Sequence, residues 1–449
     1  MTKNQPANQT RRDFIRKTAV GTTGIAIGGM GFTARSYARI MGSNERIHFA
    51  VIGVHSRGNA HIAAISKDPR GTVSHICDVD SQVLDKALNY ARSLKGNSPK
   101  GWNDIRKLLQ VKDIDAITIA APDHWHAPMA IMGVQAGKHV YVEKPSSHDI
   151  RENEMLITAW KKSGKLIQMG NQQRSAVTSA QGIQKIKDGI IGTPYHGRAW
   201  YANTRGSIGH GKVVPVPSNL NWELWQGPAP REKYRNNIVH YNWHWFRNWG
   251  TGEALNNGLH ELDICRWAMN LAYPDEVQSA GGRFFYQDDW QYFDHQHLVY
   301  KYPGGKIITW EGNSCNGLPV LNRGRGALIY GTKGSILLTR NGYILYNLSG
   351  KEVEVVNERE ASATMNTVGA GNLDTQHFGN FMDAIQGKDT LHAPINEGVI
   401  SVNLGHLANI AQFTSGSLRV NPHTGHPVGN RKAEMMLDRK YEPGWEPEV

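Results

Sequence analysis

From Arg46 onward the chain alternates short apolar runs with helical stretches, and this alternation limits the fold more than any other feature. IHFAVIG, TVSHICDVD, DAITIAAP, HVYVEKP and LIQMGN have the length and composition of strands. Between them lie NAHIAAISK, SQVLDKALNYARSL, HAPMAIMGVQAGK and IRENEMLITAWKKSGK, with apolar residues at helical spacing. Nearly continuous apolar strands separated by helices predict a parallel sheet covered on both faces, a doubly wound α/β domain. After about Gln172 the rhythm changes. HLVYKY, KIITWEG, ALIYGT and GSILLTR are separated by turns, which predicts an α+β domain with a large, mostly antiparallel open sheet. A helical segment, QHFGNFMDAIQGK through EGVISVNLGHLANIAQFTSG, follows. A chain of 449 residues exceeds what one core supports, about 250 to 300 residues, so the expected division is 39–172, 173–375 and 376–449 after an N-terminal segment, 1–38.

The first strand-to-helix turn, VIGVHSRGNAH, resembles a Rossmann dinucleotide fingerprint with one glycine missing. Gly53 and Gly58 supply the tight turn and the close helix-strand packing, but His55 stands where backbone should approach a pyrophosphate. With negative φ, His55 can turn its side chain outward while its amide faces phosphate. Ser56 adds a hydroxyl donor and Arg57 a cation. Asp78, at the end of the second apolar run, is placed to accept the adenosine ribose hydroxyls; its charge repels a 2′-phosphate and favours NAD over NADP.

Net charge does not point to nucleic acid. The formal +11 includes six basic residues and one acid in the first 38; 44 basic and 38 acidic residues remain, scattered without a block. TRRDFIRK, the weakly apolar AVGTTGIAIGGMGF and the small residues Ser36 and Ala38 resemble a twin-arginine export signal cleaved after Ala38. That resemblance implies the export machinery as a partner and a periplasmic location. The apolar stretch of 14 residues is shorter than the roughly 20 needed to span a bilayer, so no stable membrane insertion is expected. Cys77, Cys265 and Cys315 are too dispersed for a disulfide framework.

The stretch DAITIAAPDHWHAPMAIMGVQAGKHVYVEKP (115–145) resembles the glucose-fructose oxidoreductase / inositol dehydrogenase (Gfo/Idh/MocA) family. Its Pro-led loop with histidine, its AGKHV turn and its Glu-Lys-Pro signature carry the likeness. The resemblance implies a nicotinamide-binding domain, an antiparallel-sheet domain and a site between them. It assigns Ala121, Pro122, His126, Glu143, Lys144 and Asn171 to the cofactor and makes the Lys144–Pro145 bond a candidate for cis. By the same analogy the chain forms a homo-oligomer through the exposed face of its second sheet.

A second signature is WGTGEALNNGLHELDICRW (249–267). On a regular helix Asn256, His260 and Asp263 share one face. Read from spacing alone, His260 is a hydrogen-bonded core histidine. The family resemblance instead makes it the base that takes a hydroxyl proton, with Lys144 stabilising the developing alkoxide. Asn256 departs from the aspartate that dehydrogenases of the family often carry, leaving no ion pair for the imidazole. Gln172, Arg174, Tyr201, His244, Asn256 and His260 are the substrate candidates, together with the aromatic run YNWHWFRNW. His124 and His126 form a metal-like pair, but no further ligands complete a site, and no metal is expected.

Together these features imply an exported oxidoreductase with tightly bound NAD acting on a sugar or glycoside secondary hydroxyl. An alternative is a redox-neutral, NAD-dependent glycosidase working by transient oxidation at C3 and elimination. Another is a noncatalytic sugar- or nucleotide-binding protein.

Overall fold

The computed structural model describes residues 46–94, 96–357 and 372–449; the twin-arginine pattern and Ala38 lie outside the described residues. Six strands, β1 (Ile47–Ile52), β2 (Gly71–Cys77), β3 (Lys100–Trp102), β4 (Ala116–Ile119), β5 (His139–Val142) and β6 (Ile167–Met169), form one sheet in the order β3-β2-β1-β4-β5-β6. Every pairing in it is parallel. Helices α1 (Arg57–Lys67), α2 (Ser81–Ser93), α3 (Ile105–Leu108), α4 (Asp123–Gln135) and α5 (Ile150–Ser163) connect the strands.

The apolar runs reflect burial on both faces. Phe49 and Val51 of β1 enter a core with Ile62 of α1, while Ala50 and Ile52 enter a second core with Met129 and Ile131 of α4. Strand order reverses between β1 and β4, so a crevice opens beyond their carboxyl ends, where a ligand fits in such sheets.

The second sheet contains β7 (Pro194–Ala202), β8 (Glu276–Gly282), β9 (His295–Lys301), β10 (Ile307–Asn313), β11 (Arg325–Gly331), β12 (Gly334–Thr339), β13 (Gly342–Tyr346), β14 (Glu352–Asn357) and β15 (Ser417–Arg419). Their order is β14-β13-β12-β11-β7-β10-β9-β8-β15, and only β7 and β10 run parallel. Three more helices, α6 (Val177–Lys187), α7 (Trp222–Gln226) and α8 (Leu259–Met269), precede or follow β7. Alternate residues such as Ala327, Ile329, Ile336 and Leu338 point inward onto Ile183 of α6 and Leu262 and Cys265 of α8. The other face carries His196, Arg198, His297, Thr309, Glu311 and Tyr330 around a shallow depression.

Between β7 and α8 the chain leaves the sheet and returns to the first domain. The Val79 carbonyl accepts from Asn221 N–H at 2.9 Å, and the Asn219 carbonyl accepts from Ser81 N–H at 2.9 Å. Trp222, Trp225, Trp243, Phe246 and Trp249 form the separate core of this excursion.

The C-terminal portion contains α9 (Asn372–Ile385), α10 (Ile395–Thr414) and α11 (Arg431–Glu434). Phe378 and Phe381 of α9 pack on Phe49. In α10, Ile395, Val399 and Val402 belong to the core of the first domain, whereas Leu404, Leu407 and Ala411 belong to that of the second. One helix therefore fixes the two domains together. This segment is not helical throughout, because β15 pairs with β8 at the edge of the large sheet.

Candidate active site

The opening turn has the shape that its glycines predict. Gly53 has φ +78°, and a Cβ there would lie 2.6 Å from Ala121 N; on Gly58 it would lie 2.1 Å from the Gly53 carbonyl oxygen. Both positions therefore require backbone approaches that a side chain would block. His55 is exposed, and its ring stacks on His240 with centroids 4.3 Å apart. Ser56 immediately precedes α1, and its carbonyl accepts from Asn59 N–H at 3.0 Å. At the end of β2, Asp78 accepts from Val54 N–H at 2.8 Å and Asp80 N–H at 3.0 Å. Burial raises its pKa despite these bonds, so its carboxylate gains from further donors.

Arg57 does not stand ready for phosphate. Its Nε donates to Glu143 at 2.8 Å and its two terminal nitrogens donate to Asp374. Glu143 also bonds His61 Nε2 at 3.0 Å and accepts from Gln172 Nε2 at 2.9 Å. Burial alone would raise the Glu143 pKa, but the charge of Arg57 and the bond to His61 hold it well below the usual carboxylate range. Glu143 and Gln172 are thus parts of a buried ionic frame behind the crevice. Gln172 also donates to Tyr141 Oη at 3.1 Å.

Lys144 follows directly on this frame, and the Lys144–Pro145 bond is cis. Its ammonium donates to the Asn256 carbonyl and, at 3.3 Å, to Asn256 Oδ1. Burial lowers its pKa to about 8, opposed by Glu143 and Asp123. His126 bonds the Ala121 carbonyl at 2.7 Å and the Pro145 carbonyl at 2.6 Å, tying the loop after β4 to the Lys-Pro turn. Pro122 stands at the start of α4. His124 contacts the Trp225 and Trp249 carbonyls. Among the described residues no group of three or more metal-ligating side chains converges.

The Asn256 stretch differs from the regular helix expected. Residues Ala254–Gly258 form a π-helical turn before α8. Such a turn shifts the helix face by one residue. Asn256, within this turn, meets Lys144. Asp263 is drawn to Arg174, which donates to it from Nε at 2.7 Å and Nη2 at 2.9 Å, and to Ser401 Oγ at 2.6 Å. Asp263 and Arg174 are paired with each other in the core, not offered to substrate. His260 is half-buried and makes no hydrogen bond to a described residue. Burial lowers its pKa well below the usual value, and the charges of Arg340, Lys144 and Arg325 lower it further.

Asn171 is 3 % exposed, and neither Oδ1 nor Nδ2 has a hydrogen-bond partner among the described residues. A buried carboxamide without partners needs a polar group from a ligand or water. With the Gly53–Gly58 cradle and the carboxylate of Asp78, the crevice suits a dinucleotide: glycine backbone for phosphates, Asp78 for ribose hydroxyls and Asn171 for an amide-bearing ring.

Across the crevice, Tyr201 Oη accepts from Asn203 Nδ2 at 2.7 Å, and the Arg325 guanidinium lies 5.2 Å above its ring. His244 donates from Nδ1 to the Tyr241 carbonyl at 2.6 Å, with burial lowering its pKa to about 3. Its Nε2 remains an acceptor. Trp243, Trp245 and Trp249 are interior, which removes most of the aromatic run from the substrate surface. Sequence reading missed Asp374, His61, Arg325 and Arg340. Only tertiary contacts bring these to the site, and Arg340 had merely the weak signal of a turn sequence, RNG.

Comparison with known proteins agrees with this architecture. Residues 47–171 match the Gfo/Idh/MocA family description "Oxidoreductase family, NAD-binding Rossmann fold", and residues 205–420 match its "C-terminal alpha/beta domain". A glycosyl hydrolase family 109 protein of Shewanella baltica is 27% identical over 67% of this chain and 66% of its own length. An alpha-N-acetylgalactosaminidase of Shewanella oneidensis is 26% identical, with the same coverages of 67% and 66%. The chain thus spans just under two thirds of the length of these curated relatives. An NAD-binding oxidoreductase from Klebsiella pneumoniae has TM-score 0.65 at 16% identity, covering 84% of this chain and 99% of that one. A levoglucosan dehydrogenase solved with NADH and levoglucosan has TM-score 0.63 at 18% identity, covering 81% and 96%. The crevice and both matched segments place this chain in the Gfo/Idh/MocA oxidoreductase family.

Proposed function

We propose that the protein keeps NAD bound and oxidises a secondary hydroxyl of a sugar or glycoside. The observation that carries this reading is the meeting of Lys144 and a neutral, unpaired His260 at one crevice, each on a different domain. Bound nicotinamide would supply the hydride acceptor. His260, with its lone pair available, takes the hydroxyl proton as the carbonyl forms. The Lys144 ammonium, held by Asn256, stabilises the oxygen while negative charge develops. Asn171 orients the ring, and Asp78 favours NAD over NADP by repelling a 2′-phosphate.

Export through the twin-arginine route to the periplasm explains why the cofactor should stay bound, since that route carries folded proteins and free NAD is not expected there. By family analogy, copies associate through the open face of the large sheet around His196 and Tyr330.

The similarity to glycosyl hydrolase family 109 proteins favours a second reading, redox-neutral glycoside cleavage with oxidation and later reduction on one enzyme. The test uses purified protein with its N-terminal segment and no added nucleotide. After denaturation, released NAD is identified; native protein is then incubated with sugars and glycosides. Stoichiometric conversion to NADH supports the oxidoreductase, whereas bond cleavage without net reduction supports the glycosidase. Bound NAD without turnover of any sugar leaves noncatalytic binding. Failure to contain or bind NAD overturns both enzyme readings.

A further inference from the structure

Among the described residues around the crevice, four carboxylates are held by arginines, but one arginine is held by none. Glu261 accepts from Arg325 at 2.7 and 3.0 Å, Glu253 accepts from Arg205 at 2.8 Å, and Asp374 and Glu143 hold Arg57. Arg340, in the turn between β12 and β13, has no hydrogen bond or ion pair with any described residue. Of the charges acting on His260, that of Arg340 is the largest.

Sheet register explains how Arg340 reaches this place. Leu337 and Leu338 pair with Leu328 and Ala327, and beyond them Thr339 pairs with Gly342 of β13, so Arg340 sits in the two-residue turn that closes this hairpin. Ala327 and Leu338 face the inner core, and Arg340 lies near enough to Arg325 for the two charges to oppose each other. The turn is docked by Gln173, whose Nε2 donates to the Thr339 carbonyl at 3.1 Å, one residue beyond Gln172 of the ionic frame. Like charges held close together in a buried setting are unfavourable. Glu261 is hydrogen-bonded to Arg325 and, like Asp374, acts on Arg340 only through space, so the Arg340 guanidinium has no hydrogen-bonded counterion among the described residues. The effect is large enough that burial and Arg325 lower its pKa to about 9.

We propose that Arg340 anchors an oxyanion on the substrate, so that the enzyme acts on an acidic saccharide, a uronate or a sugar phosphate, in preference to a neutral one. The planar fork of its guanidinium suits two oxygens at once, and the surrounding Lys144 and Arg325 reinforce the field. The dinucleotide phosphates would lie elsewhere, at the α1 end of β1, on the opposite domain. The inference rests on the sugar-oxidising reading and extends it to the substrate's charge.

The test is calorimetric binding to NAD-loaded protein of glucuronate, galacturonate, glucose 1-phosphate and glucose 6-phosphate, each against its neutral parent sugar. At least one acidic probe should bind about 10- to 100-fold more tightly than its parent, and which one distinguishes carboxylate from phosphate. Arg340→Gln should abolish that advantage, and Arg340→Lys should restore part of it. Bound-nucleotide stoichiometry of both variants checks the fold and the cofactor site. Equal binding of acidic and neutral probes, no binding of any acidic probe, or an advantage that survives Arg340→Gln overturns the proposal. Loss of nucleotide from both variants, with the acid preference intact, also overturns it by placing Arg340 on the cofactor. An acid preference without reduction of bound NAD by any probe would instead remove the oxidoreductase reading and leave the oxyanion site standing.

Discussion

Lys144 hangs from the Asn256 carbonyl across the two domains, with Asn256 Oδ1 3.3 Å from its ammonium. Burial lowers its pKa to about 8, so the cation is lost as pH rises through that value. A reaction needing the ammonium should therefore show kcat/KM falling above about pH 8. Asn256→Asp places a carboxylate beside the cation and should move this alkaline limb upward by about one pH unit. A limb that stays in place in the variant would detach Lys144 from the rate.

His260 is already neutral around pH 6.5, because its pKa is depressed by burial and by Arg340. The rate should thus show no acid limb near 6.5, in contrast to an ordinary histidine base. His260→Ala should lower kcat by about 10²- to 10⁴-fold while leaving bound NAD in place. Full activity of the variant in single-turnover kinetics would exclude the base role.

Arg57 neutralises two buried carboxylates, Glu143 and Asp374. Arg57→Met strands both and should destabilise the protein by about 3–5 kcal/mol. Chemical denaturation measures this directly. Unchanged stability with lost nucleotide would mean that Arg57 serves the cofactor phosphates after all.

Acid should weaken the fold through histidines buried in the neutral form. Burial lowers His124 and His406 to about 3 and His377 to about 4. Unfolding returns each to about 6.5, so the unfolded chain binds more protons below that pH. Stability is complete above 6.5 and is lost as pH falls toward 3–4, by about 1.4 kcal/mol per pH unit for each histidine. Melting temperatures measured from pH 7 to pH 5 should fall, and a flat profile would contradict the burial assigned to these rings.

Much of the first domain could be read from the chain because each strand there is short, apolar and bounded by a helix. The second sheet was harder. HLVYKY and GSILLTR alternate clearly, but β8, β13 and β15 are weak, and β15 is supplied from beyond α10. The site was visible where backbone geometry demands a residue type, as at Gly53 and Gly58. It was not legible where side chains choose among distant partners: Arg57 went to Asp374 and Arg174 to Asp263.

The amino-acid sequence by itself determined the alternating strands and helices, the tight first turn and the Glu-Lys-Pro signature, since these depend on local periodicity and steric limits. Tertiary structure alone decided which charges are cancelled and which remain open. Ion pairing depends on three-dimensional distance and desolvation, so Arg325 and Arg340, alike in sequence, end with opposite fates: one is bound to Glu261 and the other acts on His260 without a hydrogen-bonded partner among the described residues.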